Sequence, residues 1–497
     1  MESVKRTQRL LVIDIDGLRQ DVFHNALAQG RVPSLARLLS GPGEAIHLGP
    51  VSTAPSITFC AQSSIFTGEE PEIHGVVGNQ FFDRFGVQGK GPRFYAFDVG
   101  DALAYEDAVL TFTGALGLLG QTIAPQAATL YEKASRRGLT STVVYHMVSR
   151  GATRWIKPSL VDIARFTKGG GLVGMSAEQY DHEMMEKTLE YIRQGGQADV
   201  LTVYFMGLDH TSHQYGPGAQ ADYLARVVDP EVGRLVKELE QRSLLQNTLV
   251  GVVSDHGQIQ VIPDDRHSLR LSFPFDREMG YLFDALGLDV HDKPGEGPAC
   301  DAVLASNGGL AHVYLRRKSG EWKEPPRFSE DVLPVARAFW EAHQTGRYAT
   351  DLQGALAMVL VRNVEQAGWQ ADYQALTPDD RFQSVQEYLG DHPEIQTVDG
   401  AARLRALASP MSGDLLLVSN YAEGFYFGGI ITGIHGGLHP EESLAVGSLG
   451  WVGASQEQWS YLQETAKAAI QDRRQADGRE HASITDLSRI LTKVMDI

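Results

Sequence analysis

Cysteine is scarce in this sequence. Two residues, Cys60 and Cys300, in a chain of 497 cannot build a disulfide framework, and such scarcity suits a reducing compartment. Long apolar runs are missing too. No stretch reaches the roughly 18 residues that a membrane-crossing helix requires. The basic start, MESVKRTQRLLVIDIDG, leads into an apolar run that Asp14 and Asp16 break. It reads as a strand ending in a polar loop, not as a signal peptide. Positive charge is in deficit: 44 Lys and Arg against 62 Asp and Glu leave a formal charge of −18. That field repels nucleic acid and anionic membrane surfaces, so neither a nucleic-acid polymer nor a membrane is an expected partner. The expected setting is cytoplasmic. An anionic substrate needs a local positive site, and bound divalent cations can supply one.

What is present is ordinary globular composition, 43 % hydrophobic and 21 % charged, in a chain long enough to bury a large core without staples. Short apolar runs alternate with longer amphipathic segments, which predicts an α/β fold with a mostly parallel central sheet flanked by helices. Strands are expected at Leu10–Asp14, Thr142–Tyr145, Val200–Phe205, Leu249–Val253 and Leu415–Val418. Helices are expected at Pro33–Leu39, with its proline in the first turn, at Ser176–Gln194, opened by a capping box of Ser176 and Gln179, at Ala219–Gln241, and twice in the final 40 residues. Phe81–Ala127 and Pro263–Ser409 break the rhythm and read as insertions, the second as a cap. The chain is taken as one catalytic domain, 1–497, with 263–409 inserted in it.

Four segments place Asp or His just after an apolar run. In open α/β sheets the ligand site lies beyond the carboxyl ends of the strands, so these segments are expected to converge. In LLVIDIDGLR, Asp16 sits at the strand end, with Asp14 its rival inside the run. In YFMGLDHTSHQYGP, Asp209 and His213 are spaced i, i+4. On a helix they share a face and can share a metal, with His210 pointing elsewhere. In LVGVVSDHGQ, Asp255 and His256 follow a buried-type strand, and Gly257 permits a turn. In GIITGIHGGLHPEES, glycines flank His435, and His439 is the competitor. A fifth segment, VSTAPSITFCAQSSIFTGEEPEIHGVVGN, runs from a strand-like piece into a helix that starts at Thr58 and stops at Thr67-Gly68. A hydroxyl there sits at the positive end of the helix dipole, although an N-terminal threonine can also be a simple cap. To attack at neutral pH it needs a base or a metal.

Together these motifs resemble the type I phosphodiesterase / nucleotide pyrophosphatase family of the alkaline-phosphatase superfamily, over roughly residues 8–83, 198–260 and 412–447. The resemblance implies an alkaline-phosphatase-like fold and a two-metal hydrolase. One ion is then held by Asp209, His213 and His435. The other is held by Asp16, Asp255 and His256, with Thr58 Oγ1 completing its shell as the nucleophile. The implied role of Asn79 is to hold a non-bridging phosphate oxygen, although beside Gly78 it also fits a turn. His74 is expected to be structural. An all-nitrogen-and-oxygen ligand set suits Zn²⁺ and admits Mn²⁺.

The implied reaction is hydrolysis of a small-molecule phosphate ester or pyrophosphate through a phospho-threonine. A sulfatase is rejected, because Cys60 is followed by AQSS, without the proline and arginine that class needs. A phosphomonoesterase, a phosphonoacetate-hydrolase-like C–P hydrolase, a phosphoglycerate-mutase-like isomerase and a non-catalytic phosphate-ligand binding protein are the alternatives. No Arg or Lys occurs from Val51 to Phe82, which favours diesters over dianionic monoesters. Gly169–Gly174 formally fits G-x-G-x-x-G but follows no clear strand, so it reads as a loop.

Overall fold

The computed structural model describes residues 9–86, 91–97, 117–167, 174–271, 278–291, 295–296 and 299–497. Of the G-x-G-x-x-G stretch, 169–173 lie outside them. A seven-stranded sheet forms the centre, in the order Ile46–His47, Gly447–Val452, Thr248–Val253, Arg9–Ile15, Val200–Phe205, Ser141–Val144 and Arg154–Ile156. The last five strands run parallel, and Gly447–Val452 and Ile46–His47 add an antiparallel edge.

The central strand alternates strictly. Leu10 and Val12 face one apolar layer with Phe59, Ile65 and Leu487, whereas Leu11, Ile13 and Ile15 face the other with Leu35, Met184 and Leu235. A parallel strand buried on both faces reads as a continuous apolar run, which is why these strands were legible. Helices cover both faces, Thr58–Thr67 and Ile484–Met495 on the first, Ala177–Arg193 and Asp229–Gln241 on the second.

The predicted elements form within a residue or two of their expected limits, with two differences. Ala219–Gln241 is helical as expected but not uniformly α: an α turn at Gln220–Tyr223 passes through a π-helical turn, Leu224–Val228, into Asp229–Gln241. Such bulges relieve a register mismatch and recur near functional sites. The strand at Leu415–Ser419 is not part of the parallel sheet. It lies in a second sheet, ordered Val290–His291, Ala302–Asn307, Leu310–Leu315, Leu415–Ser419, Leu356–Val361, Gln374–Leu376 and Phe382–Ser384. Nearly all of its pairings are antiparallel. Residues 263–409 therefore carry most of a sheet of their own, and its middle strand comes from beyond them.

The second sheet is tied to the first part of the chain by buried polar groups. Gln80 N–H donates to Asn307 Oδ1 at 3.0 Å and Asn307 Nδ2 donates back to Gln80 O at 2.9 Å. Arg84 Nη2 meets Asp414 Oδ2 at 3.0 Å, both side chains 0 % exposed, and the same oxygen accepts Leu315 N–H at 2.8 Å. Removing one partner of such a pair strands the other charge in the core, at a cost of about 3–5 kcal/mol. Asp414→Ala should lower the urea unfolding free energy by about that amount. Removal of the exposed Glu321–Lys323 pair should leave the unfolding curve where it was.

Candidate functional site

The parallel register aligns Asp14 with both Tyr204 and Val253, so three neighbouring strands end level. Asp16, Asp255 with His256, and the helix Gly207–Tyr215 follow directly from those ends. Gly17 N–H donates to Asp255 Oδ1 at 3.1 Å. Gly17 has φ 67°, and a Cβ there would lie 2.6 Å from Asp209 Oδ1, so both backbone and space require glycine. Gly257 is not in a left-handed conformation. Its role is space: a Cβ would sit 2.2 Å from Glu441 O.

Thr58 is the first residue of its helix. Ile57 holds the cap position, with no side-chain cap. The Thr58 hydroxyl lies instead 3.1 Å from His256 Nε2, which is also 3.3 Å from Asp255 Oδ2 and 3.5 Å from Asp16 Oδ1. On the other side His213 Nε2 lies 3.1 Å from Asp209 Oδ2 and 3.2 Å from His435 Nε2. His435 Nε2 is 3.7 Å from Asp209 Oδ1, and the His256 and His435 rings stack with centroids 3.7 Å apart. Two buried sets, Asp16–Asp255–His256 and Asp209–His256–His435, each bring their ligand atoms within 4.8 Å of one another. His213 borders the second.

The hydrogen bonds fix which atoms face inward. Nδ1 of His256, His213 and His435 meets the carbonyl of Gly257 at 2.9 Å, Gly433 at 2.8 Å and Ser56 at 3.1 Å. A carbonyl only accepts, so each Nδ1 carries the hydrogen and each Nε2 presents a lone pair to the cluster. Asp16 Oδ1 and Asp255 Oδ2 are buried without a hydrogen-bond partner. Inward lone pairs and unpartnered carboxylate oxygens repel one another, and divalent cations are what this donor set fits. The electrostatics agree. Burial, then Asp255 and Asp209, push the Asp16 carboxyl well above the usual range. Burial also raises Asp255, against the pull of His256. Burial, with His256 beside it, pushes the His435 imidazole well below its ordinary range, which keeps it a neutral donor.

The rival residues lie elsewhere. Asp14 is buried against His146, 3.1 Å away. His439 caps the turn Pro440–Ser443 and faces Tyr421 and Gln396. His210 lines the cavity wall but belongs to neither ligand set. His74 binds Ser64 Oγ at 2.8 Å in the core. Asn79 lines the cavity, and its Oδ1 accepts Phe59 N–H at 2.8 Å, fixing it beside the nucleophile helix.

Three supporting residues escaped the sequence reading. Tyr204 donates to Asp16 Oδ2 in a short hydrogen bond; its place as the penultimate residue of a strand level with Asp14 was the available signal. Gln258 Nε2 donates to Asp209 Oδ1 at 2.6 Å. Asp181 accepts Gly207 N–H at 3.1 Å and the Tyr223 hydroxyl at 3.0 Å. It thus places a carboxylate at the N-terminus of the helix that carries Asp209 and His213, where the dipole favours one. All of this opens into a cavity of about 1120 Å³, with Met147, Met175, Phe427 and Ile430 among its apolar walls.

The seven-stranded sheet, its helices and the residues at its carboxyl edge define an alkaline-phosphatase-like fold. The sequence profile of the type I phosphodiesterase / nucleotide pyrophosphatase family matches residues 10–400, and the chain belongs to that family. Murine ectonucleotide pyrophosphatase / phosphodiesterase 5 shares the fold, with a TM-score of 0.56 at 15 % identity, covering 99 % of this chain and 95 % of that one. That protein has also been solved as an inactive threonine-to-alanine variant in complex with AMP. An uncharacterized pyrophosphatase/phosphodiesterase of Schizosaccharomyces pombe is 24 % identical over 253 residues, 50 % of this chain and 44 % of the yeast protein, so the match spans less than half of that relative. The alkaline phosphatase PhoV of Synechococcus elongatus is 30 % identical over 82 residues, 16 % of this chain and 15 % of its own. No helix among the described residues is long and apolar enough to cross a membrane.

Burial pushes the Asp181 carboxyl up to about 7, against the opposing bonds from Tyr223, Gly207 and Met206. A folded-state value above the unfolded one, about 3.9, means that the protonated form favours folding. That stability is complete below about pH 4 and is lost as pH rises toward and through 7. Asp181→Asn should remove this slope, at most about 1.4 kcal/mol per pH unit. Thermal unfolding of both proteins between pH 5 and 8 checks it.

Proposed function

We propose that the protein is a divalent-metal-dependent phosphodiesterase or nucleotide pyrophosphatase that acts through a phospho-threonine on Thr58. The observation that carries this reading is the Thr58 hydroxyl, buried at a helix start 3.1 Å from His256 Nε2 and beside both candidate ligand sets. Asp209, His213 and His435 would hold one ion and Asp16, Asp255 and His256 the other. Zn²⁺ suits them best and Mn²⁺ next; bound there, such ions neutralise phosphate charge and lower the pKa of a nearby hydroxyl.

The chain's own residues do the rest. The helix start presents Thr58 Oγ1 to an incoming phosphate at the positive end of the helix dipole. Thr58 attacks phosphorus and the alcohol or phosphate leaving group departs; water then cleaves the phospho-threonine. Asn79, held against Phe59 N–H, is read as the group that steadies a non-bridging oxygen. The inactive threonine-to-alanine form of the murine relative supports Thr58 in its role.

Among the described cavity-lining residues Arg226 is the one Lys or Arg, and it pairs with Asp222 at 2.8 Å. A dianionic monoester therefore meets little fixed positive charge, which favours diesters and pyrophosphates of small molecules. We read the chain as one catalytic domain in a cytoplasmic setting, with 263–409 as an insertion whose Ser306 and Gly308 form part of the cavity wall.

Thr58→Ala should keep both ions and lose activity by roughly 10³-fold or more, while Thr58→Ser keeps part of it. Wild-type protein quenched in acid during turnover should carry phosphate on the Thr58 peptide. Near wild-type hydrolysis by Thr58→Ala would remove the covalent step. On a panel of chromogenic esters, diesters should be turned over faster than monoesters; the reverse order points to a phosphomonoesterase.

Metal analysis should find close to two ions per chain. His435→Ala should retain about one of them and lose most activity, and His439→Ala should be mild. Equal metal content in wild type and His435→Ala would contradict the ligand assignment.

A further inference from the structure

A closed polar cluster lies beneath the site, on the sheet face that packs the nucleophile helix. Alternation along Arg9–Ile15 turns Asp14 to the same side as Leu10 and Val12. There it meets Gln62 and His146, and all three are 0 % exposed. Val148 N–H donates to His146 Nδ1 at 2.9 Å, so the ring hydrogen sits on Nε2. That hydrogen is shared between Gln62 Oε1 at 2.9 Å and Asp14 Oδ2 at 3.1 Å. Gln62 Nε2 closes the ring with Asp14 Oδ1 at 3.2 Å.

Each member comes from a different element. Asp14 lies two residues before Asp16. Gln62 lies one helical turn after Thr58, on the same face. His146 follows the strand Ser141–Val144, delivered by Tyr145 at φ 60°, a left-handed conformation uncommon for so large a residue. The His146 ring also meets Tyr204 edge-on, centroids 4.9 Å apart, and Tyr204 binds Asp16. The cluster therefore joins the helix of Thr58 to the strand and the tyrosine that hold Asp16.

An apolar trio of the same volume would pack here without desolvating a carboxylate. Apolar contacts also tolerate small slides, whereas a closed hydrogen-bonded ring accepts one register. We propose that Asp14, Gln62 and His146 are positioning residues that set the height of the Thr58 helix against the Asp16 strand end. The proposal rests on the reading of Thr58 as nucleophile.

Hydrolysis of bis-para-nitrophenyl phosphate by the purified metal-loaded protein tests it. Asp14→Ala and Gln62→Ala should each lower kcat by about 10- to 100-fold, the scale of a small misplacement of reacting groups, with KM and metal content unchanged. The double variant should be no worse than either single one. Asp14→Asn keeps two of the three contacts, His146 donating to Gln62 Oε1 and Gln62 Nε2 to the new amide oxygen, but sets its own amide against the His146 hydrogen, so its kcat should fall between wild type and the alanine variants. Should Asp14→Ala not fold, Gln62→Ala and Asp14→Asn decide alone.

A wild-type kcat in Gln62→Ala, a loss confined to melting temperature or metal content, or an Asp14→Asn as impaired as the alanine variant would each overturn the proposal. If the wild type does not cleave the diester, the functional reading fails first. Amide exchange then decides the positioning claim: Gln62→Ala should speed exchange at 57–62 more than Asp14→Asn does, and unchanged exchange in Gln62→Ala overturns it.

Discussion

Like charges and lone pairs are forced together at one edge of the central sheet, and much of the surrounding architecture serves that arrangement. Three imidazoles are pinned through Nδ1 to backbone carbonyls, so none can turn its lone pair away. Asp16 and Asp255 each keep one buried oxygen unpartnered. In a low-dielectric interior such an arrangement is costly without a counter-charge. Level strand ends, the Gly17 turn and the packed helix of Asp209 and His213 are the means by which the backbone imposes it.

Supports of increasing distance surround that centre. Tyr204 and Gln258 touch the carboxylates directly. Asp181 holds the N-terminus of a ligand helix, and Glu442 takes the backbone N–H groups of Gly437 at 2.8 Å and His439 at 3.2 Å, bracing the loop after His435. These groups fix ring orientations and backbone paths, which a list of ligands alone leaves free.

Much of this was legible in the sequence because parallel strands buried on both faces are short apolar runs, and their ends carry conspicuous Asp and His. Asp16, Asp209, His213, Asp255, His256, His435 and Thr58 are brought together at one sheet edge, as expected. The supports were not legible, since Tyr204 and Gln258 look like strand and loop residues until the register is known. The second sheet was missed for another reason. Its central strands are apolar runs buried on both faces, like those of the first sheet, but they come from both sides of residue 409, so long-range pairing decided their partners. Its best local signal was Gly308-Gly309, a two-residue connection between Ala302–Asn307 and Leu310–Leu315. The helical pattern over Ala219–Gln241 was legible, whereas the π turn within it is not something periodicity registers.

All ten residues of the Thr58–Thr67 helix are buried. No position on it can change without disturbing the core on which the nucleophile stands. Substitution at this site meets least resistance on the opposite walls, where Glu178, Gln214, Tyr215 and Ile430 are exposed at the cavity. Divergence in what such a chain accepts can accumulate there while the reacting hydroxyl stays fixed, a separation of the part that must be inherited intact from the part that is free to vary.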